Sequence, residues 1–121
     1  MANEVTISVS LKFSKGGVTA DKAEGGLQFD VSGSKKTELI QEIGTSEEQI
    51  LFGDVTTPGY CILKNLDSTN YIEIRPATGV ADLIRLDAGQ VALFPFADDC
   101  TAPYAIANTA ACNLETTLIE N

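Results

Sequence analysis

Residues 59–96 contain four short runs of β-forming residues, and this pattern constrains the fold more than any other part of the chain. The runs cover residues 60–64, 71–75, 81–86 and 90–96. Turn formers separate them, with Asp67 and Asn70 in one connection and Asp87 and Gly89 in another. Asp and Asn side chains bind nearby backbone groups in turns, and Gly supplies positive φ. The arrangement therefore predicts two successive β-hairpins.

The N-terminal region alternates strictly from Val5 to Phe13, with apolar residues at the odd positions and polar residues at the even ones. This period of two predicts a half-buried strand with one wet face, at a sheet edge or paired with a neighbouring subunit. A shorter alternating run follows at Leu27, Phe29 and Val31. The connection from Gly16 to Gly26 is rich in glycine and contains lysine, which predicts a mobile loop or a deformable turn.

The remaining chain offers further short strands. Residues 35–52 are ambiguous, because Leu39, Ile40 and Ile43 fit either a strand or one face of a short helix, and we interpret the region as mostly strand. Residues 104–107 and 114–119 predict two last strands. Together this gives about eight to ten short strands, the pattern of an antiparallel sandwich or barrel. We predict an all-β, jelly-roll-like sandwich forming a single domain over residues 1–121, with at most one short helical turn.

The totals support a single acidic domain. A chain of 121 residues with 44% hydrophobic residues can bury a core without a disulfide or metal. Its net charge of −9 repels phosphates, so we expect neither nucleic acid nor an anionic membrane as a partner. Residues 1–4 carry no basic segment followed by an apolar run, so we expect no signal peptide and synthesis in a cytoplasm.

The sequence offers no catalytic equipment that we can identify. It contains no histidine, which excludes Ser-His-Asp and Cys-His nucleophiles and imidazole metal sites. Cys61, Cys100 and Cys112 lack metal or redox spacing, and we interpret them as small buried residues in a reducing compartment, although two of them could pair. Asp98 and Asp99 precede Cys100, and their charges disfavour a thiolate there.

The remaining candidates for catalytic or binding sites are the acidic pairs and the aromatic residues. Asp98-Asp99 and Glu47-Glu48 could serve as acid and base, but adjacent strand residues point to opposite faces. Asp98 and Asp99 with loop carbonyls could hold calcium, but the spacing of a calcium loop is missing. There is no tryptophan to form a sugar- or base-stacking surface, and we interpret the tyrosines, Tyr60, Tyr71 and Tyr104, as partly buried strand residues. We therefore predict a non-enzymatic protein without catalytic, cofactor-binding or metal-binding residues, and without a cofactor.

The segment from Thr57 to Ile74 resembles small virion proteins of tailed bacteriophages. These proteins carry an aromatic strand, an Asn-Leu-Asp-x-x-Asn-Tyr turn and a second strand, which correspond here to Tyr60, to residues 65–71 and to residues 71–74. The likeness continues through residues 86–94, 103–107 and 114–120 and covers roughly the C-terminal half. It consists of strands and turns and includes no catalytic signature.

This resemblance implies a structural role. The type that fits best is a head decoration (cement) protein, which would bind the outer surface of the head as a homotrimer and stabilise the shell. Its expected partners are copies of itself and the major capsid protein or another virion protein, with synthesis in the cytoplasm of the bacterial host. Residues 1–26 would then supply an N-terminal strand and mobile loop for assembly contacts. A tail, neck or fibre component, or a sandwich that binds host glycans, are the alternatives.

Overall fold

The structure is a computed structural model that describes residues 3–121, so Met1 and Ala2 of the predicted assembly segment 1–26 lie outside the described residues. Residues 3–121 form ten antiparallel strands and no helix, which confirms the all-β prediction. Contacts divide the chain into two compact units, Met1–Ser32 and Gly33–Asn121. The strands are β1 (Val5–Lys15), β2 (Val18–Phe29), β3 (Lys36–Ile43), β4 (Glu48–Gln49), β5 (Pro58–Asn65), β6 (Ile72–Arg75), β7 (Ile84–Leu86), β8 (Val91–Pro95), β9 (Tyr104–Ala107) and β10 (Cys112–Glu120).

The first unit is a long two-stranded hairpin of β1 and β2. Gly16 and Gly17 form its two-residue loop with φ of 57° and 81°, the positive values that a type I′ turn requires at both central positions. At the open end, Glu4 Oε1 accepts a hydrogen bond of 3.0 Å from the Val31 N–H group. The region predicted to be a mobile loop between Gly16 and Gly26 is therefore mostly strand, because a tight turn lets residues 18–24 pair with β1.

A β-bulge at Gly25 and Gly26 keeps the apolar residues of β1 and β2 on the same face of the hairpin. The register shifts between Ile7 and Val9, where the single residue Ser8 opposes Gly25 and Gly26. Gly26 has a φ of 67°, and its N–H group donates to Ser8 Oγ at 3.1 Å. A bulge of this kind inserts one residue and reverses which positions of the bulged strand share a face. As a result, β2 contributes even positions to the apolar face before the bulge and odd positions after it.

The second unit is a sandwich of two four-stranded sheets with the strand orders β3-β10-β5-β8 and β4-β9-β6-β7. The pairs within the sheets follow a nested order: first with last (β3 with β10), second with seventh (β4 with β9), third with sixth (β5 with β8), and fourth with fifth (β6 with β7). A long antiparallel hairpin wound around two sheets has this connectivity, which defines a jelly roll. The predicted jelly-roll form is confirmed.

The predicted hairpins of residues 59–96 are wrong in their pairing. β5 pairs with β10 and β8, whereas β6 lies in the other sheet and pairs with β9 and β7. The chain changes sheets between β5 and β6 and again between β7 and β8. Turn residues mark where a strand ends, but they do not say whether the next strand continues in the same sheet. Pro95 has no backbone N–H donor, and its strand β8 lies at the edge of its sheet, where no further strand needs that donor.

The core lies between the two sheets of the second unit. Alternate residues of the central strands β5 and β10 point inward, and Leu63, Leu114 and Leu118 are fully buried. The facing sheet contributes Ile72 and Ile74 from β6, with Ala105 and Ala107 from β9. A rim of Phe52, Phe94 and Phe96 packs on this cluster, with the Phe94 and Phe96 ring centroids 4.9 Å apart. The period of two thus places one apolar layer from each sheet in the interior.

The corner between β5 and β6 is built by side chains of the Asn-Leu-Asp-x-x-Asn segment. Asn65 is fully buried, and its Nδ2 donates to the carbonyl oxygens of Asn70 (2.9 Å) and Leu86 (3.0 Å). Its Oδ1 accepts from the Asp67 N–H group at 2.9 Å. Asp67 Oδ2 in turn accepts from the backbone N–H groups of Asn70 and Thr69 at 2.7 and 3.0 Å. The predicted backbone binding by Asp67 is confirmed.

The Asp67 turn gives stability a component that depends on pH. The backbone N–H donors of Asn70 and then Thr69 hold the pKa of Asp67 below its ordinary value of 3.8. A lowered folded pKa stabilises fully above 3.8, and the benefit disappears as the pH falls through the folded value. We therefore expect Asp67→Ala to lower the urea midpoint at pH 6, with a gap to the wild type that closes as the pH falls below 4. Asp54→Ala, at an exposed turn position, should leave the midpoint unchanged at pH 6.

Gly53 is held in a conformation that leaves no room for a side chain. Its φ is 58°, and a Cβ built there would lie 2.7 Å from Thr37 Oγ1, which donates to the Phe52 carbonyl oxygen at 2.6 Å. Because strain and overlap add, we expect Gly53→Ala to destabilise by about 3 kcal/mol in urea unfolding. Gly89→Ala is the matched control, with φ of 78° and nothing within 4 Å, and should cost about 1 kcal/mol. Equal costs would contradict the proposed overlap.

Candidate functional site

Of the four acidic residues in the two pairs named from the sequence, three make separate hydrogen bonds within the chain. Glu47 Oε2 accepts from Arg75 Nη1 at 3.0 Å, and Glu48 Oε2 accepts from the Gly44 N–H group at 2.9 Å. Asp98 Oδ1 accepts from Asn121 Nδ2, and Asp99 is exposed. Within residues 3–121, no group of three potential ligands among Cys, Asp and Glu could hold a metal ion. These carboxylates do not converge on a common point.

Arg75 and Arg85 act as clamps on the sheet of β6 and β7. Arg75 bridges Glu47 and Asp82, with Nε 2.7 Å from Asp82 Oδ1, and the Asp82 hydrogen bond is the main cause of its raised pKa. Arg85 lies 3.6 Å from the centroid of the Tyr71 ring and binds Asp87 at 2.8 Å. Both guanidinium groups are therefore occupied by groups of their own chain. Tyr60, Tyr71 and Tyr104 are half-buried, as predicted.

The three cysteines are free thiols. Burial raises the pKa of Cys61 to about 12, and burial followed by the Asp67 charge raises that of Cys112. Cys100 is half-buried, its Sγ donates to the Thr101 carbonyl oxygen at 3.0 Å, and burial together with the Asp99 charge raises its pKa as well. A thiolate is the reactive form of cysteine, so none of these environments favours a nucleophile.

These thiol environments predict a graded reactivity. At pH 8 we expect a colorimetric disulfide reagent to modify Cys100 slowly in the folded protein, because it is the least buried of the three. Cys61 and Cys112 should react only after unfolding, when all three thiols are titrated. Cys100→Ser should abolish the native-state reaction and leave two thiols under denaturing conditions. Rapid native modification of Cys61 would contradict the buried position.

An apolar cleft opens at one edge of the sandwich, between β7 of one sheet and β8 of the other. Its volume is about 400 Å³. Its walls are almost wholly hydrocarbon, from Leu83, Ile84, Phe94, Phe96 and Pro103, with Cys100 beside them. A sugar site needs several placed hydrogen-bonding groups for the hydroxyls, and this cleft offers few. The cleft is therefore a poor match for the glycan-binding alternative.

The hairpin of the first unit exposes an extended apolar face. Cross-strand neighbours in an antiparallel pair share a face, which places the odd residues of β1 beside Leu27, Ala20 and Val18 of β2. We define the hairpin face as these apolar residues: Ile7, Val9, Leu11, Phe13, Val18, Ala20 and Leu27. Leu11 is 67% exposed, Val18 63% and Phe13 49%. The half-burial predicted for β1 is wrong, because most of its apolar side chains remain exposed to solvent.

Sequence reasoning identified β1 and the alternating run that contains Leu27, but missed Val18 and Ala20 of β2. The signal was the Gly25-Gly26 pair, whose bulge changes the parity of the strand and hides the alternation of Val18, Ala20 and Leu27. The opposite face of the hairpin is polar, carrying Ser10, Lys12 and Ser14 from β1. The hairpin is thus strongly amphipathic.

The chain was compared with protein-family models, curated proteins and solved structures. No protein-family model, no curated protein and no solved structure matches the chain. Over residues 3–121 there is also no helix long and apolar enough to cross a membrane. The structure contains an amphipathic hairpin and a jelly-roll body in which Arg75, Arg85 and Asp67 are bound by groups of the same chain. An exposed apolar face such as that of the hairpin can dock on another surface.

Proposed function

We propose that this protein is a structural, non-enzymatic component of a tailed-bacteriophage virion. Its role is that of a decoration protein, which binds the outer surface of the head as a homotrimer and stabilises the shell. It is made in the cytoplasm of the bacterial host and takes no cofactor. The partners are copies of the same chain and the major capsid protein. The resemblance of residues 57–74 to small virion proteins supports this role.

The observation that carries the proposal is the exposed apolar face of the hairpin. Soluble monomers rarely expose contiguous apolar surface of this kind, and where they do it commonly marks an interaction site. An isolated two-stranded hairpin is also only marginally stable in water, so strands of 11 and 12 residues gain stability when a second surface covers them. Assembly, whether with other copies of the chain or with the shell, supplies such a surface.

The jelly-roll body and the distribution of charge agree with this role. Jelly rolls build viral capsid and lectin domains as well as cupins, so the fold permits the role without establishing it. Residues 33–121 carry five basic and thirteen acidic residues. A surface this acidic suits an outward position, since a lining that faces packaged DNA would be repelled by the phosphates.

The mechanism follows from mass action. A protein that binds the expanded shell and not its unexpanded precursor stabilises the expanded state by an amount that grows with its free concentration. Three linked copies present three weak contacts at once, and simultaneous engagement raises the overall affinity by orders of magnitude. No proton transfer or bond formation is needed.

The test is binding to heads purified without this protein. We expect the purified chain to co-sediment with expanded heads to saturation and to raise the temperature at which they release DNA. Unexpanded proheads and purified tails from the same preparation are the controls, and both should leave the protein in the supernatant.

Other outcomes would overturn the head assignment. Binding to tails alone would identify a tail, neck or fibre component. Binding to neither particle, combined with saturable binding to host glycans, would identify an adhesion module. Turnover of a substrate would overturn the structural role altogether.

A further inference from the structure

We infer that the hairpin face is an interface between copies of this chain, so that hairpins from two or three copies pack apolar face against apolar face. The inference deepens the proposed function by naming the surface through which the copies bind one another. It assigns the shell contact to other surfaces of the protein. The argument depends on the apolar content, the charge and the symmetry of the face.

The face is mostly apolar, although Lys22 and Glu24 lie beside its apolar residues. Val9, Leu11 and Phe13 alternate along β1, and their exposed fractions are 43%, 67% and 49%. Val18 and Leu27 extend the same surface on β2 at 63% and 37%. Packing two such faces would give the hairpin the second layer that a stable sheet requires. Identical copies of the chain present this layer at equal concentration.

The distribution of charge favours contact through the hairpins over contact through the bodies. Between Val5 and Phe29 the hairpin carries three lysines and two acidic residues, whereas residues 33–121 carry thirteen acidic residues against five basic ones. Two bodies therefore repel one another strongly, and two hairpins do so only weakly. Copies can approach most closely through the hairpins.

The charges on the face are self-complementary. Lys22 and Glu24 pair with Leu11 and Val9 in the register, which places them on the hairpin face, and their Nζ and Oε2 atoms are 2.9 Å apart. In a two-fold contact Lys22 of each copy can bind Glu24 of the other, and in a three-fold ring Lys22 of each copy can bind Glu24 of the next. Lys15, the remaining charged residue on this side, lies beside the loop at the end of the hairpin. Neither charge is then buried without a partner.

The size of the face limits the affinity. Eleven residues of strand extend about 37 Å, and a two-stranded face is about 10 Å wide, so each copy offers roughly 370 Å² in projection. Two faces together offer roughly 740 Å², below the lower limit for specific interfaces, and three offer roughly 1,100 Å², close to that limit, so the area favours three copies over two. We therefore expect reversible association that depends on concentration, with a dissociation constant in the micromolar range.

The first test compares two double variants of the full chain by sedimentation velocity. Leu11→Asp with Phe13→Asp introduces two acids into the hairpin face, and we expect it to weaken self-association at least about 100-fold. Ser10→Asp with Ser14→Asp introduces the same charge into the same strand on the opposite face and should leave association within about threefold of wild type. Equal association of both variants with the wild type would overturn the inference.

The second test separates contact between copies from folding of the hairpin. Lys22→Glu chains carry two acids at positions 22 and 24, and Glu24→Lys chains carry two lysines there, so each should self-associate less than wild type. Mixing the two should restore association as a heteromer, detectable with a mass tag on one chain. A mixture that stays as weakly associated as its components would overturn the inference.

Failure of the inference can be told apart from failure of the proposed function. A wild-type chain that stays monomeric at 100 µM yet binds heads overturns the hairpin interface and leaves the decoration role intact. A chain that associates through the hairpin but binds neither heads nor tails keeps the interface and overturns the role.

Discussion

Asn65→Leu should destabilise the jelly-roll body by roughly 4 kcal/mol, because three backbone groups lose their partner at once. The side chain of Asn65 is fully buried. Its amide nitrogen donates to the carbonyl oxygens of Asn70 and Leu86, and its amide oxygen accepts from the Asp67 N–H group, at donor–acceptor distances of 2.9–3.0 Å. Leucine has a similar volume and no hydrogen-bonding groups. The substitution therefore tests the polar contacts rather than the packing.

The measurement is urea unfolding followed by far-UV circular dichroism and tyrosine fluorescence, since the chain has no tryptophan. Asn113→Leu is the matched control, because Asn113 lies exposed on β10 and its substitution makes the same chemical change on the sheet surface. It should change stability by less than about 0.5 kcal/mol. A loss below about 1 kcal/mol for Asn65→Leu would show that the corner between the sheets does not depend on this amide.

Leu63→Ala should cost about 3 kcal/mol, through lost burial and the cavity left behind. Leu63 is fully buried on the central strand β5, where it pairs with Thr116 of β10 and Ala92 of β8. Strands on both sides restrict how far the backbone can move to fill the space. The effect should therefore lie well above that of a surface truncation.

Ile62→Ala is the control for this prediction. Ile62 is the neighbouring residue of the same strand, points to the opposite face and is 40% exposed. Its truncation should cost less than about 1 kcal/mol, measured in the same urea experiment. Equal losses for the two variants would contradict the placement of the core between the two sheets.

The strands themselves were largely predictable, because their signals are local. Alternation of apolar and polar residues located β1, and the short run over residues 114–119 located β10. The end of β2 was predicted from the alternation at Leu27 and Phe29, but its first part, Val18 to Gly26, was interpreted as a loop or turn and becomes strand through its pairing with β1. A bulge is a property of two strands together, and neither strand alone predicts it.

The hairpin face illustrates the same division. The odd positions of residues 5–13 identified an apolar face from the sequence, and this pattern alone predicted half-burial. Only the structure shows that Leu11 and Phe13 remain exposed, because burial depends on which surface covers the strand. That surface is a tertiary or quaternary property, absent from any pattern of residues.

What the sequence by itself determined is the class of the fold: short alternating runs and turn residues permit strands, and the absence of histidine removes whole groups of catalytic chemistry. What only the tertiary structure decided is which strands pair, and therefore that β5 and β6 lie in different sheets joined by the Asn65 corner. The physical reason is the range of the interactions. Alternation and turn chemistry act over a few residues, whereas the nested pairing of β3 with β10 joins residues about eighty positions apart, and only the shared core selects it.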